Sequence, residues 1–135
     1  MVIIKDIKLE NAMINSEMNI KLIDFGFSVS SNSTKLDLFC GTPNYMSPEI
    51  VLKKEYCGRA NDIWGFAVLA FKLLTGNFPF GAESTSVLNK KILSLDYSCP
   101  GYLGEEAKRF FFSCFKIASQ ARPSASELLQ FKFFN

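Results

Sequence analysis

Over residues 60–75 apolar side chains fall at 63, 66, 67, 70, 71 and 74, the spacing of one helix face, and Val68, Leu69 and Leu73 fill much of the remainder. A helix that is apolar nearly all round belongs at the centre of a domain. Gly76 supplies its stop and Pro79 blocks a restart. More polar helical patterns follow at 84–95, carrying Lys90 and Lys91, and at 105–118, with two acids in the first turn. A last helix is predicted at about 125–130, opened by the capping-box run Ser124-Ala-Ser-Glu127. Pro48 followed by Glu49 predicts a short helix to about 53, and Asp62 falls in the predicted first turn of the central helix as a plain cap. Strand signals gather near the start, where 12–15 and 19–23 flank Ser16-Glu17-Met18 and read as a short hairpin. Without internal repeats or low-complexity linkers, the pattern predicts one mainly α domain.

Composition narrows the setting. A chain of 135 residues, 48% of them hydrophobic, can bury roughly two thirds of its unfolded surface in a single core. Its net charge of +2, with no dense basic run, speaks against nucleic acid or a membrane as a partner. The opening Met-Val-Ile-Ile is too short for a signal-peptide core, and the apolar run 66–71 is broken by Lys72. Cys40, Cys57, Cys99 and Cys114 form no Cys-x-x-Cys pair and no histidine could complete a zinc site, so free buried thiols are expected. A reduced, soluble, cytoplasmic protein follows, with the nucleus left open. Three adjacent aromatics, Phe110, Phe111 and Phe112, would spread around most of a helix, so one of them must face another element or a partner.

Candidate chemistry lies near the start. Asp6, Lys8, Asn11 and Asp24 combine hard oxygen ligands with one positive charge, a set suited to a magnesium-bound polyphosphate. Taken singly, Asp6-x-Lys8-x-x-Asn11 is an ordinary solvated turn and Asp24-Phe25-Gly26 an ordinary strand end. A calcium loop built from Asp6, Glu10 and Asn11 fails on ligand order and lacks the turn glycine.

Order along the chain carries more weight. Those two motifs are followed by Cys40-Gly41-Thr42-Pro43-Asn44-Tyr45-Met46-Ser47-Pro48-Glu49, then Asp62-Ile63-Trp64-Gly65, then Arg122-Pro123. The series resembles the eukaryotic-type serine/threonine protein kinase family, closest to its calcium/calmodulin-dependent and AMP-activated-kinase-like branch. The resemblance implies a mainly α, kinase-like C-terminal lobe over residues 1–135, with a small β-hairpin beside the catalytic loop, and ATP and magnesium as cofactors. It makes Asp6 the group that orients the substrate hydroxyl and accepts its proton, and Lys8 the charge that meets the ATP phosphates. Asn11 and Asp24 become the metal ligands. Thr42 would bridge Asp6 and Lys8 in the substrate-facing loop, which together with Lys8 points to serine/threonine specificity; Phe27 adds a preference for serine. Glu49 would pair with Arg122, and Asp62 would hold the catalytic-loop backbone. Ser33 and Thr34 are the phosphorylation candidates in the activation segment, so the partners implied are a protein substrate and an upstream kinase.

Departures from the family are equally legible. No Gly-rich phosphate loop, strand lysine or partner glutamate is found, so an N-terminal lobe is expected to be absent from these residues and the chain alone to be inactive. Ile4-Lys5 stands where the family has His-Arg, and Lys5 offers a flexible point charge in place of a planar fork. Ala67 replaces a glycine common in the family's central helix. The competing expectation is a non-catalytic, pseudokinase-like or truncated lobe that binds a partner protein.

Overall fold

The computed structural model describes residues 2–30, 35–36 and 41–135. The helices are α1 (Pro48–Val51), α2 (Gly58–Thr75), α3 (Thr85–Ser94), α4 (Glu105–Cys114) and α5 (Ala125–Leu128). Short strands β1 (Val2–Ile3), β2 (Ala12–Ile14), β3 (Ile20–Leu22), β4 (Val29–Ser30), β5 (Lys35–Leu36) and β6 (Tyr56–Cys57) pair as antiparallel two-stranded ribbons. The predicted hairpin is β2 on β3, in the register Ala12↔Leu22 and Ile14↔Ile20. The other ribbons join β1 to β4 and β5 to β6.

Helix α2 is the centre about which the rest packs. Trp64, Ala67 and Val68 are fully buried, and Trp64 stacks on Phe80 with ring centroids 5.4 Å apart and meets Phe115 edge-on at 5.0 Å. Phe110 and Phe111 of α4 are fully buried as well, and Phe71 of α2 meets Phe111 at 5.1 Å. The burial is uneven along the helix: Leu73 is 63% exposed and Leu74 is exposed too, so the predicted all-round core does not reach the last turn. The N-terminal segment that covers α2 crosses it at Gly58, where a Cβ would lie 2.6 Å from Ile3 Cγ2, and at Gly65, where it would lie 3.3 Å from the Ile7 carbonyl oxygen.

Several boundaries differ from the sequence expectation. Helix α2 starts at Gly58, which puts Asp62 in its second turn and not in the first, so its carboxylate does not cap its own helix. Helix α4 ends at Cys114, not at 118, because Phe115 leaves helical geometry (φ −80°, ψ 83°) to enter the aromatic cluster around Trp64, Phe80 and Tyr97. The final helix stops at Leu128; its predicted capping box is present, with Ser124 Oγ accepting from the Glu127 amide and Glu127 accepting from the Ser124 amide. Cys57, Cys99 and Cys114 are free thiols, but only Cys114 is buried as expected, Cys57 and Cys99 being partly exposed where they lie beyond the central core; Cys40 lies outside the described residues. No helix among the described residues is long and apolar enough to cross a membrane.

Candidate active site

The loop between β1 and the 3-10 turn at Leu9–Asn11 is pinned from below by α2. Both oxygens of Asp62 accept backbone N–H groups, Oδ2 from Ile4 and Oδ1 from Lys5, each at 2.8 Å. Lys5 is held at φ 65°, a left-handed conformation costly for a residue with a Cβ, and the two bonds from Asp62 hold it there. Burial pushes the Asp62 carboxyl up, opposed by these two bonds and by the Lys5 charge. Below the loop, Gly65 lets the helix approach the Ile7 backbone closely.

The next residue is Asp6, itself buried. Its Oδ2 lies 2.7 Å from Lys8 Nζ and accepts from Asn11 Nδ2 at 3.1 Å. Lys8 Nζ also donates to Thr42 Oγ1 at 3.2 Å, and the Thr42 hydroxyl turns toward Asp6 Oδ1 at 3.5 Å. Asp6, Lys8 and Thr42 thus close a polar ring contributed by two segments more than thirty positions apart. The ion pair with Asp6 raises the Lys8 pKa against the opposing effect of burial, with smaller contributions from the charges of Glu10 and Asp24. Lys8 therefore stays cationic at neutral pH, and Asp24 lies within electrostatic reach of it.

Asn11 is oriented by its own neighbours. Its Nδ2 donates to the Asp6 carbonyl oxygen at 3.0 Å as well as to the Asp6 carboxylate, which leaves Oδ1 as the free ligand-type atom. The Ile23 amide donates to the Asn11 carbonyl at 2.9 Å, so the β2–β3 hairpin ties Asn11 to the residue preceding Asp24. Asp24 sits at φ 60°, with Oδ1 accepting from the Gly26 amide at 3.1 Å, an Asx-type turn that fixes the carboxylate. Asn11 Oδ1 and Asp24 Oδ2 carry no hydrogen bond among the described residues, and one carboxylate plus one carboxamide oxygen fits magnesium. That ion keeps waters and phosphate oxygens as its remaining ligands and needs no all-protein cage.

Two supports were not apparent from the sequence. Tyr45, buried behind Thr42, accepts the Leu9 amide on its hydroxyl at 3.3 Å, and burial raises its phenol pKa. Ser47 Oγ donates to Asn61 Oδ1 at 2.7 Å with both residues buried. Each is a contact between segments distant in sequence, and only the presence of Tyr45 and Ser47 within the Cys40–Glu49 motif could have drawn attention to them.

Glu49 and Arg122 meet as a two-pronged pair, Nη1 to Oε1 and Nη2 to Oε2, each at 2.7 Å. Arg122 also donates to the carbonyls of Ala60 at 2.9 Å and Lys116 at 3.1 Å, and its guanidinium carbon lies 5.0 Å from the Trp64 ring centroid. This ties α1, α2 and the turn before α5 together, away from the Asp6 ring. Ser33 and Thr34 lie outside the described residues.

Comparison with known proteins identifies the family. The protein kinase domain family matches residues 1–134. CBL-interacting protein kinase 3 of Oryza sativa subsp. japonica is 37% identical over 134 residues, covering 96% of this chain and 30% of that protein. CBL-interacting serine/threonine-protein kinase 21 of Arabidopsis thaliana is 38% identical over 127 residues, covering 93% and 30%. The probable serine/threonine-protein kinase MARK-A of Dictyostelium discoideum is 37% identical over 126 residues, covering 93% and 12%. The chain thus spans less than a third of the length of these relatives. From the motif order, the central helix and the family match together, the chain belongs to the eukaryotic-type serine/threonine protein kinase family and folds as a mainly α kinase C-terminal lobe.

Proposed function

We propose that these residues form the substrate-handling half of a kinase that transfers the γ-phosphoryl of ATP to serine or threonine hydroxyls of protein substrates, once a nucleotide-covering N-terminal lobe outside them is supplied. The observation that carries the reading is the Asp6–Lys8–Thr42 ring with Asn11 locked against it. In this reading Asp6 accepts the substrate hydroxyl proton as the oxygen–phosphorus bond forms and the bond from the γ-phosphorus to the bridging oxygen breaks, leaving ADP. Lys8 stands against the charge on the transferring group. Asn11 Oδ1 and Asp24 would hold magnesium, which supplies charge neutralisation across the phosphates. Thr42 orients Lys8 and Asp6 toward an aliphatic hydroxyl, and Phe27 favours serine over threonine.

Ser33 and Thr34 are proposed as sites for an upstream kinase, with weak dependence on their phosphorylation because Lys5 is a single point charge in place of a guanidinium fork. A cytoplasmic location goes with this reading. The alternative, a partner-binding lobe without activity, draws on the exposed apolar side chains Met13, Ile14, Ile20, Phe25 and Phe27 around the hairpin and the Asp24 turn.

Two measurements decide between them. Mg-ATP at a hundred times its dissociation constant would stabilise a binder by about 2.7 kcal/mol; no rise in melting temperature is expected for the 135-residue chain. The same residues joined to an N-terminal kinase lobe should phosphorylate a serine peptide and lose that activity with Asp6→Asn. Activity that survives Asp6→Asn refutes the base assignment, and a lobe-complete chain that binds Mg-ATP without any transfer supports the partner-binding reading.

A further inference from the structure

We propose that the groove between α4 and the C-terminal turn at Lys132–Phe134 is a docking surface for an acidic protein segment carrying one large apolar side chain. The groove is a shallow depression of about 580 Å³ lined by Phe112 and Phe131 together with Lys108, Arg109, Lys132 and one acid, Glu106. It lies on the solvent face of α4 and shares no residue with the Asp6 ring, so the proposal stands apart from the catalytic reading.

Phe112 carries the apolar half of the argument. Its neighbours Phe110 and Phe111 are fully buried, whereas Phe112 is 67% exposed, which leaves much of a large aromatic ring open to solvent in the groove. The Lys116 ammonium lies over one face of that ring, 3.5 Å from its centroid, so a cation already covers that face and the rest of the ring is left for a partner. A single exposed aromatic is common on a protein surface; two aromatics in a shallow depression lined by cations are an arrangement that can accept an anchoring side chain.

Charge carries the other half. Around the groove stand Lys108, Arg109, Lys116 and Lys132 against Glu105 and Glu106, a surplus of two positive charges. Lys108 is engaged by Glu105 at 2.8 Å, but Arg109 is 3.7 Å from Glu106, too far for a strong hydrogen bond, so its fork of donors remains available. Lys132 has no ion-pair partner among the described residues. An acidic segment with a leucine or phenylalanine anchor satisfies the aromatics and the cations together. A basic segment would face the charge surplus, and an anionic membrane would meet the two glutamates.

The test uses the 135-residue chain and fluorescence anisotropy of a labelled dodecapeptide of Asp and Glu with a central Phe. Saturable binding is expected, and Phe112→Ser and Lys132→Glu should each weaken it about fivefold or more, as should a rise to high salt. Both residues are exposed, so the melting temperature should stay unchanged in both variants, which separates lost docking from lost folding. The proposal is overturned if no saturable binding occurs, if a Lys-substituted peptide binds equally well, or if the two variants bind like the parent. Binding to phosphatidylserine vesicles in preference to the peptide would also overturn it, in favour of a membrane surface.

Discussion

Replacing Arg122 by alanine tests the packing account most directly. The Arg122 side chain is fully buried and that of Glu49 nearly so, and the guanidinium makes four hydrogen bonds: two to Glu49 and one each to the carbonyls of Ala60 and Lys116. Arg122→Ala strands the Glu49 carboxylate and removes the donor from two carbonyls, so the loss of stability should be about 3–5 kcal/mol, the range for breaking one side of a buried pair. Unfolding entropy scales to roughly 0.28 kcal/mol/K for a domain of this length, so the melting temperature should fall by roughly 10–18 °C. Glu49→Gln keeps one acceptor for the guanidinium and leaves the two carbonyl bonds intact, so it should cost less than Arg122→Ala. Replacing both residues together by Leu and Met removes the charges as a pair and should recover part of the loss. Urea denaturation of the four chains measures each term. A change for Arg122→Ala of about 1 kcal/mol or less, the size of an exposed ion pair, would refute the claim that this pair ties three segments in the core.

Gly58→Ala should destabilise by about 1–3 kcal/mol although alanine is the better helix former, because the new Cβ would lie 2.6 Å from Ile3 Cγ2 and 2.8 Å from Leu36 Cδ1; chemical denaturation reads this. Asp62→Ala should free the amides of Ile4 and Lys5, visible as faster hydrogen exchange at those two positions, at a cost of about 1–3 kcal/mol for each donor left buried and unpaired. Burial pushes the Cys114 thiol up to about 12 from an ordinary 9.0. The unfolded chain therefore releases this proton first, and folding stability should fall as pH rises from about 9 toward 12, with Cys114→Ala flattening that part of the urea-measured profile. Thr42→Val should leave the melting temperature nearly unchanged, since Thr42 is only partly buried, while lowering transfer to a serine peptide by at least tenfold in a lobe-complete chain.

The helical part of the fold was legible because its signals are local. The 3.6-residue period of α2, the Ser124 cap and the positive-φ stop at Gly76 can each be read within a few positions. Element ends were less legible wherever a tertiary contact outweighed propensity: Phe115 leaves α4 to fill the space between Trp64, Phe80 and Tyr97, and no local feature of its sequence announces that. The same holds for the start of α2, which begins at Gly58 and not at about 60, with the close approach of Ile3 leaving no room for a Cβ there. Asp6, Lys8, Asn11 and Asp24 could be named from motif order, yet what brings them together could not. The left-handed conformations of Lys5 and Asp24 belong to residues with no preference for them beyond the weak tolerance of aspartate.

Those two conformations separate the parts of the site that this lobe assembles from the part it only offers. Lys5 is turned by Asp62 from α2, which places Asp6 in a closed ring with Lys8 and Thr42 and under Asn11, all bonded before any nucleotide arrives. Positional error of about 1 Å can cost on the order of a hundredfold in rate, so the base role proposed for Asp6 would gain from its being held by several segments at once. Asp24 is exposed and turned by its own bond to Gly26, and it belongs to the surface on which Met13, Ile14, Ile20, Phe25 and Phe27 remain open. In the proposed reading, a lobe that closed over that surface would bury apolar area and bring a metal-bound phosphate to Asp24 and Asn11 in one step, with Asp6, Lys8 and Thr42 already in place. The division of labour follows from where the chain has hydrogen-bonded its polar groups and where it has left them, along with their apolar neighbours, in contact with water.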